Sequence, residues 1–525
     1  MGNLKFWSEH VRGSGRGTRG SGGEVLRHVL TVILIAGALF VPLSAGFLLV
    51  STPEKEPPAC TVAFFEEETL ANPSWDGITI QLIPAERVDA YVEFRRSGTD
   101  RWKKTGVQSG AGDEPLRFNL HSLQSGTQYE YRLRCREGRE APPSPFKVKD
   151  DRPFGVRAVH TFKTLAKKEK PFRFVFMTDS HIFRWWEASV LGIDNTSVKT
   201  FSSSIRNVEE LGPDFIILGG DEFLTHCNQC RGTFVDGEFT GERTISSVRE
   251  GELRYRQGMR MFSPLAAEFP LFLTLGNHEG EAGFGNEGGK CNHFSNTKAL
   301  SEQARLKYLP NPSEVYGGGE EGGYYSFEHA GALFVVLDVM RYVSEYPSSP
   351  EDWTLGSEQL AWLEKTLKES NAKWKFIFLH HLVGGYASRD GCYSYGRGGI
   401  RATDTGRRDG RFLGEQARLH DLFVRYGVQA VFFGHDHVFV SGEKDGVLYV
   451  LGGHPSGNAP PSWERKKVFR EQYDYNEDGF PDYLIENGVV SVDVQGDSAV
   501  IRYIESNGED ASLNGRVLFE KTIFS

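Results

Sequence analysis

The sequence predicts an α/β body preceded by a small all-β sandwich and an N-terminal transmembrane helix. Three observations carry this expectation. From about residue 170 onward, short apolar strands alternate with longer helical patterns. Between residues 60 and 165, short strands of period two are separated by turn residues. Val29 to Val50 is an uncharged apolar run, long enough as a helix to cross the ~30 Å hydrocarbon core of a bilayer.

Lys5, Arg12, Arg16, Arg19 and Arg27 precede that run. The bias of Lys and Arg toward the cytoplasmic flank predicts a single-pass protein with its N-terminus inside and everything after the helix outside the cytoplasm. A cleaved export signal is the alternative, because Ser44 and Gly46 offer small residues; both readings export the body. The expected segments are a cytoplasmic tail at 1–28, the helix at 29–50, a spacer at 51–58, a β-sandwich at 59–166 and the α/β body at 167–525.

The sandwich is read from ITIQLIP at Ile78, AYVEFRR at Ala90, LRFNL at Leu116, YEYRLRC at Tyr129 and HTFKT at His160. The stretch Leu123 to Tyr131 (LQSGTQYEY) is similar to the tyrosine corner of fibronectin type III domains, in which a tyrosine hydroxyl returns to backbone upstream. In the body, the strands are FRFVFM at Phe172, FIIL at Phe215, LFLTL at Leu271, FVVL at Phe334, KFIFL at Lys375 and AVFF at Ala430. Runs apolar on both faces suit strands covered on both sides. A helix is expected from a Ser357 cap, with Leu360, Leu363 and Leu367 on one face. Another is expected near Gln416, with Leu419, Leu422 and Phe423.

The chain of 525 residues carries 60 Lys and Arg against 70 Asp and Glu, a formal net charge of -10. This balance argues against a nucleic-acid surface, which needs clustered cations facing phosphates. The cysteines Cys60, Cys135, Cys227, Cys230, Cys291 and Cys392 form an even set of 6, and in an exported protein such a set favours disulfides. Cys60 with Cys135 is the preferred pair, and the other four allow three pairings. Cys227, Cys230, Cys291 and His293 could alternatively make a structural zinc site.

The chemistry is concentrated at strand ends. FRFVFM runs into Asp179-Ser180-His181, FIIL into Gly219-Gly220-Asp221, and LFLTL into Gly276-Asn277-His278-Glu279. KFIFL runs into His380-His381, and AVFF into Gly434-His435-Asp436-His437. In open α/β sheets, functional groups gather beyond the carboxyl ends of strands, so these loops are expected to meet on one rim. Carboxylates and imidazoles with an Asn carbonyl suit first-row metals, and one carboxylate can bridge two ions.

This ordered set resembles the metallophosphoesterases, the calcineurin-like phosphoesterase superfamily, whose blocks run Asp-x-His, Gly-Asp, Gly-Asn-His-Glu, His and Gly-His-x-His. The resemblance implies a four-layer α/β/β/α sandwich and a dinuclear centre of divalent or trivalent ions, iron, zinc, manganese or magnesium. Asp179, His181, Asp221 and His437 would hold one metal; Asp221, Asn277, His380 and His435 would hold the other, with Asp221 as the bridge. The family's proline after the fourth block is replaced here by Leu382, and His381 takes a supporting or structural role. His278 is implied as the catalytic group that protonates the leaving alkoxide or steadies transition-state charge. The implied reaction is hydrolysis of a small-molecule phosphate ester by hydroxide shared between the ions. A monoesterase of acid-phosphatase type is the leading expectation. A phosphodiesterase on the same centre, or an anchored receptor or adhesion protein without activity, is the alternative.

The β-sandwich is similar to the N-terminal domain of purple acid phosphatases, and Tyr324-Tyr325-Ser326-Phe327, LFVVLD and Gln359-x-x-Trp362-Leu363 fit the same group. Those enzymes carry an iron-binding tyrosine three residues after the bridging Asp. Here that position is Leu224, so the resemblance implies no tyrosinate-iron centre, with His181 filling the coordination site.

A separate feature alternates oxygen donors at Asp474, Asn476, Asp478 and Asp482 around Gly479, the spacing of the first half of a calcium loop. Ile485 at the twelfth position excludes an EF-hand. A single Ca2+ loop similar to dockerin or integrin-type repeats and a plain acidic turn both remain open. His226 and the glycine-rich stretch from Gly317 to Gly323 are assigned no role.

Overall fold

The computed structural model describes residues 57–139, 151–181, 196–226, 234–241, 244–281, 297–309, 322–340, 354–382, 414–456 and 483–525. The expected membrane helix at 29–50, the calcium-type loop at 474–482, and Cys227, Cys230, Cys291 and Cys392 lie outside these residues. Among the described residues, no helix is long and apolar enough to cross a membrane.

The first unit contains β1 (Thr69–Ala71), β2 (Ile78–Leu82), β3 (Val88–Arg96), β4 (Lys103–Lys104), β5 (Gln108–Gly110), β6 (Leu116–Leu120), β7 (Gln128–Glu137) and β8 (Gly155–Lys163). One sheet runs β1-β2-β6; the other runs β4-β3-β7-β8, with β5 also pairing β3. Alternation decides the inner face. Val88, Ala90, Val92 and Phe94 of β3, and Tyr129, Tyr131, Leu133 and Cys135 of β7, are buried while their neighbours are not. The expected Cys60–Cys135 disulfide is present, with a Cα–Cα distance of 5.7 Å and a sequence separation of 75. Closing a loop of that length stabilises the fold by roughly 4 kcal/mol in the chain-entropy account. The Tyr129 hydroxyl accepts the backbone N–H of Gln124 at 2.8 Å, closing the corner that the sequence suggests.

The body continues through β9 (Phe172–Met177), α1 (Thr196–Leu211), β10 (Phe215–Leu218), β11 (Phe234–Val235), β12 (Glu238–Phe239), α2 (Val248–Ala266) and β13 (Leu271–Leu273). It goes on through α3 (Lys298–Tyr308), β14 (Tyr325–His329), β15 (Ala332–Val336), α4 (Gly356–Glu369), β16 (Trp374–Phe378), α5 (Gly414–Arg425) and β17 (Ala430–Phe433). It ends with β18 (Phe439–Lys444), β19 (Val447–Gly452), β20 (Gly488–Gln495), β21 (Ser498–Glu505) and β22 (Val517–Phe524). Two six-stranded sheets result, ordered β13-β10-β9-β20-β21-β22 and β14-β15-β16-β17-β19-β18. The motif-bearing strands β9, β10 and β13 pair in parallel, as do β15, β16, β17 and β19.

The period of two also explains the layering. Phe174 and Phe176 of β9 meet Phe334, Phe376, Phe378 and Phe432 in an aromatic core between the sheets. Val175 and Met177, on the opposite face of β9, pack with Phe201 of α1 and with Met259 and Phe262 of α2. The second sheet is covered in the same way by Leu360, Leu363 and Leu367 of α4 and by Leu419, Leu422 and Phe423 of α5. The order of layers is helix, sheet, sheet, helix. One local expectation is corrected: Ser357 lies inside the first turn of α4, and Leu355 occupies the cap position without a side-chain cap bond. The Thr354 hydroxyl accepts the Gly356 N–H at 3.0 Å instead.

The sandwich is fastened to the body by buried polar contacts. The Tyr131 hydroxyl donates to the Ala267 carbonyl at 2.8 Å, and the Gln81 amide donates to the Tyr308 carbonyl at 2.8 Å.

Candidate metal centre

The parallel strands β9, β10 and β17 stop where the chain turns sharply, and the turning residues carry donors. Asp179, His181, Asp221, His435 and His437 all have positive φ, between 44° and 77°. Non-glycine residues rarely adopt this conformation, and such strain gathers at functional sites. The loops hold one another in it: the Asp179 N–H donates to the Gly220 carbonyl at 2.9 Å, and the His181 N–H donates to the Asp221 carbonyl at 3.3 Å. Two glycines are required by close approach. A Cβ on Gly276 would run into the Asp221 carboxylate and its backbone nitrogen, and one on Gly434 would run into Thr178 and Asp179.

The donors converge in three overlapping groups whose ligand atoms lie within 4.8 Å of one another: Asp179, His181 and His437; His181, Asp221 and His278; and Asp221, His380 and His435. Nε2 of His437 is 3.3 Å from Asp179 Oδ1, and Nε2 of His181 is 3.6 Å from both Asp179 Oδ1 and Asp221 Oδ2. On the other side, His380 Nε2 is 3.3 Å from Asp221 Oδ2. The Asn277 side-chain oxygen lies 3.1 Å from His380 Nε2 and 3.0 Å from His435 Nδ1. Asp221 thus stands between two half-sites. His381 turns away, with its Nε2 3.1 Å from the Met340 sulfur.

These residues fit a pair of metal ions. Asp179 Oδ1 and His181 Nε2 are buried and have no hydrogen-bond partner among the described residues, an arrangement that costs free energy unless a cation completes it. Several imidazoles packed against two carboxylates, with an amide oxygen, form a mixed N/O donor set. The His380 Nδ1 lies 2.9 Å from the Gly219 carbonyl, which places the proton there and presents Nε2 inward.

Electrostatics follow from this packing. Burial opposes the charge on Asp221, but His380, His278 and His181 outweigh it and hold the carboxyl far below the usual range. Asp179 is likewise held well below that range, against burial, by His181 and His437. Burial disfavours a proton on His380, yet the Asp221 carboxylate pushes it up to about 10. His278 moves the other way: burial lowers it, and His181 and His380 add to that.

Several supporting residues escape any reading of spacing. Glu279 collects four backbone N–H groups: Gly276 and Asp221 donate to one oxygen at 2.7 and 2.9 Å, Glu222 and Phe223 to the other at 2.9 and 3.0 Å. It therefore fixes the bridging loop to the Asn277 turn. The carbonyl of His226 accepts from His278 Nδ1. Arg254, fully buried in α2, donates to the carbonyls of Leu224, Thr225, Thr240 and Gly241 and so holds the loop that leads to His226. Glu279 could have been found from its place in Gly-Asn-His-Glu; Arg254 carries no local signal.

The profile of the calcineurin-like phosphoesterase family matches residues 172–439, just over half of the chain. The tartrate-resistant acid phosphatase type 5 of Oryctolagus cuniculus is 24% identical over 315 residues, covering 58% of this chain and 78% of that protein. Among solved structures, that of PhoD superposes with a TM-score of 0.61 at 14% identity, covering 90% of each chain. The purple acid phosphatase PPD1 from yellow lupin (Lupinus luteus) seeds gives a TM-score of 0.54 at 16% identity, covering 87% of this chain and 74% of that one. With the strand-end donors assembled around Asp221 and the family match spanning all of them, the chain belongs to the calcineurin-like phosphoesterase family and is a metal-dependent phosphoester hydrolase.

Proposed function

We propose that this protein is a membrane-anchored, extracytoplasmic phosphomonoesterase with a dinuclear centre. Asp179, His181, Asp221 and His437 hold one ion, and Asp221, Asn277, His380 and His435 hold the other. The single observation that carries this reading is the position of the Asp221 carboxylate, which faces His181 at 3.6 Å and His380 at 3.3 Å. Bound there, such ions would supply Lewis acidity toward phosphoryl oxygens and make water a better nucleophile near neutral pH.

The chain's own residues do the rest. The His278 Nδ1–H donates a hydrogen bond to the His226 carbonyl, so any proton it exchanges with substrate is at Nε2, which lies 3.8 Å from Asp221 Oδ2. That atom would donate to a leaving alkoxide once the ring carries its second proton, a form that burial opposes. A monoester is favoured over a diester because the rabbit relative is named an acid phosphatase and the lupin protein a purple acid phosphatase. Leu224 occupies the sequence position at which purple acid phosphatases carry an iron-binding tyrosine, so the resemblance implies no tyrosinate-iron centre here.

The location rests on the apolar run at 29–50, the basic residues ahead of it, and the Cys60–Cys135 bridge, since disulfides persist in oxidising compartments. Turnover of 4-nitrophenyl phosphate against bis(4-nitrophenyl) phosphate, with the protein metal-loaded and then chelated, tests the chemistry. A metal-dependent monoester preference is expected; a diester preference, or turnover that survives chelation, contradicts it. Protease added outside sealed cells should digest the body, and full protection would contradict the topology.

A further inference from the structure

We propose that Glu67, Glu68 and His160 form a second divalent-cation site, of the zinc type, in the seam between the β-sandwich and the α/β body. One oxygen of each carboxylate and one ring nitrogen of His160 lie within 4.8 Å of one another. Glu67 and Glu68 immediately precede β1, and His160 stands on β8. Glu268 of the body, which contacts His160, lies just before β13. That is the opposite end of β13 from the one leading to Asn277, so this site is not part of the centre around Asp221.

The buried groups here lack what burial requires. The Glu68 side chain is 1% exposed, and neither of its carboxylate oxygens has a hydrogen-bond partner among the described residues. Its Oε1 is 3.2 Å from the Arg157 Nε, in an ion pair; its Oε2 faces the His160 Nε2 at 3.9 Å. That ring nitrogen is also buried without a hydrogen-bond partner. A gap of 3.9 Å is too long for a hydrogen bond. Two ligand atoms about 2.0–2.1 Å from one tetrahedral zinc ion stand about 3.4 Å apart, so the pair would close by about half an ångström around an ion.

The other side of the imidazole is already arranged for a ligand. His160 Nδ1 is 2.9 Å from Glu268 Oε1, while Glu268 Oε2 accepts the Thr161 N–H at 2.9 Å and the Thr161 hydroxyl at 2.7 Å. The carboxylate is fixed, so one proton sits on Nδ1; against burial, Glu268 and Glu68 raise the imidazole's pKa, and a cation at Nε2 would take the place of the second proton facing Glu68. A carboxylate behind a histidine in this way sets the tautomer of metal-binding imidazoles. Charge agrees. With Glu68 deprotonated, Glu67, Glu68 and Glu268 bring three negative charges against Arg157, which also pairs with Glu67; without an ion, burial raises the Glu68 carboxyl and a proton takes up part of that charge. A divalent cation offsets the remainder, and through Glu268 it would couple the sandwich to the body.

The test uses the full-length protein loaded with zinc, desalted, and assayed for zinc by elemental mass spectrometry. Wild type is expected to hold one zinc more per chain than Glu68→Gln or His160→Ala, with turnover of 4-nitrophenyl phosphate unchanged in both variants. Asp221→Asn is expected to keep the seam zinc while losing turnover, which separates failure here from failure of the catalytic reading. Equal zinc in wild type and folded seam variants would show an ion-pair network closed by protons and overturn the proposal. Should both seam variants fail to fold, zinc-edge anomalous scattering from wild-type crystals decides: a peak bonded to His160 Nε2 is expected, and no peak there overturns it.

Discussion

The backbone N–H of His278 donates to Asp221 Oδ1 at 2.8 Å, which commits one oxygen of that carboxylate to the Asn277 turn and leaves Oδ2 facing His181, His278 and His380. The residue between the half-sites is therefore oriented by the loop that carries the proposed proton donor. Replacing it should separate structure from chemistry. Asp221→Asn retains an oxygen for the His278 N–H and should fold, yet it loses the negative charge that both half-sites share. Circular dichroism unchanged with most turnover gone is expected; wild-type-like turnover would contradict the assignment.

His278→Ala should lower kcat on an aryl phosphate by ~10² to 10⁴. The loss should shrink for substrates whose leaving group needs no proton, and KM should change little, because the side chain acts on the departing oxygen. An equal loss for good and poor leaving groups would assign His278 to charge stabilisation instead.

Glu279→Gln tests the scaffold under the bridge. A carboxylate accepts four N–H groups here, and an amide would turn its own NH2 toward two of them. Loss of an outer partner of this kind typically costs ~10- to 100-fold in metal affinity or activity. Metal titration followed by turnover at saturating metal shows whether the loss is recovered by mass action.

Arg254→Met should destabilise the body by roughly 3 kcal/mol or more, because buried carbonyls left without donors cost about 1–3 kcal/mol each. Arg254 serves the carbonyls of Leu224, Thr225, Thr240 and Gly241, and of these the Thr225 carbonyl keeps the Ile245 N–H at 3.1 Å. Urea denaturation monitored at constant metal measures it, and a change within the surface range of about 0.5 kcal/mol would contradict the role.

Glu66 provides a pH signature away from the metals. Burial pushes its carboxyl up to about 8, against Arg256 and Arg260, which lower it. A carboxyl raised above its unfolded value of 4.5 keeps its proton in the folded chain after the unfolded chain has lost it. Its contribution to stability is full below the unfolded value and is lost as pH rises through about 8. Glu66→Gln should therefore stabilise the protein at pH near 8 by up to about 4 kcal/mol and have little effect near pH 4, since each pKa unit is about 1.4 kcal/mol. Equal effects at both pH values would show that Glu66 titrates normally.

Much of the fold was legible because its signals are local. The apolar strands at Phe172, Phe215, Leu271, Lys375 and Ala430 appear as β9, β10, β13, β16 and β17, each with phenylalanine on the face toward the other sheet. The donors Asp179, Asp221, Asn277, His380, His435 and His437 stand at strand ends, where sequence position and spatial position coincide. His380 could be preferred over His381 for the same reason: it is the residue that ends the strand. What could not be read depends on contacts between distant segments. Arg254 sits in mid-helix like any amphipathic arginine until the loop after Asp221 wraps around its guanidinium. Ser357 looks like a cap by residue type, but Leu355 and the Thr354 hydroxyl begin the helix first. The contacts of Glu268 with His160 and Thr161 join two units that composition alone would keep apart.

The most direct measurement of the central claim is the low-temperature electron paramagnetic resonance spectrum of the protein loaded with Mn(II). Two ions sharing the Asp221 carboxylate should give an exchange-coupled spectrum that collapses to a mononuclear signal in Asp221→Asn. A mononuclear signal in the fully loaded wild type, unchanged by that substitution, would contradict a bridged pair at this site.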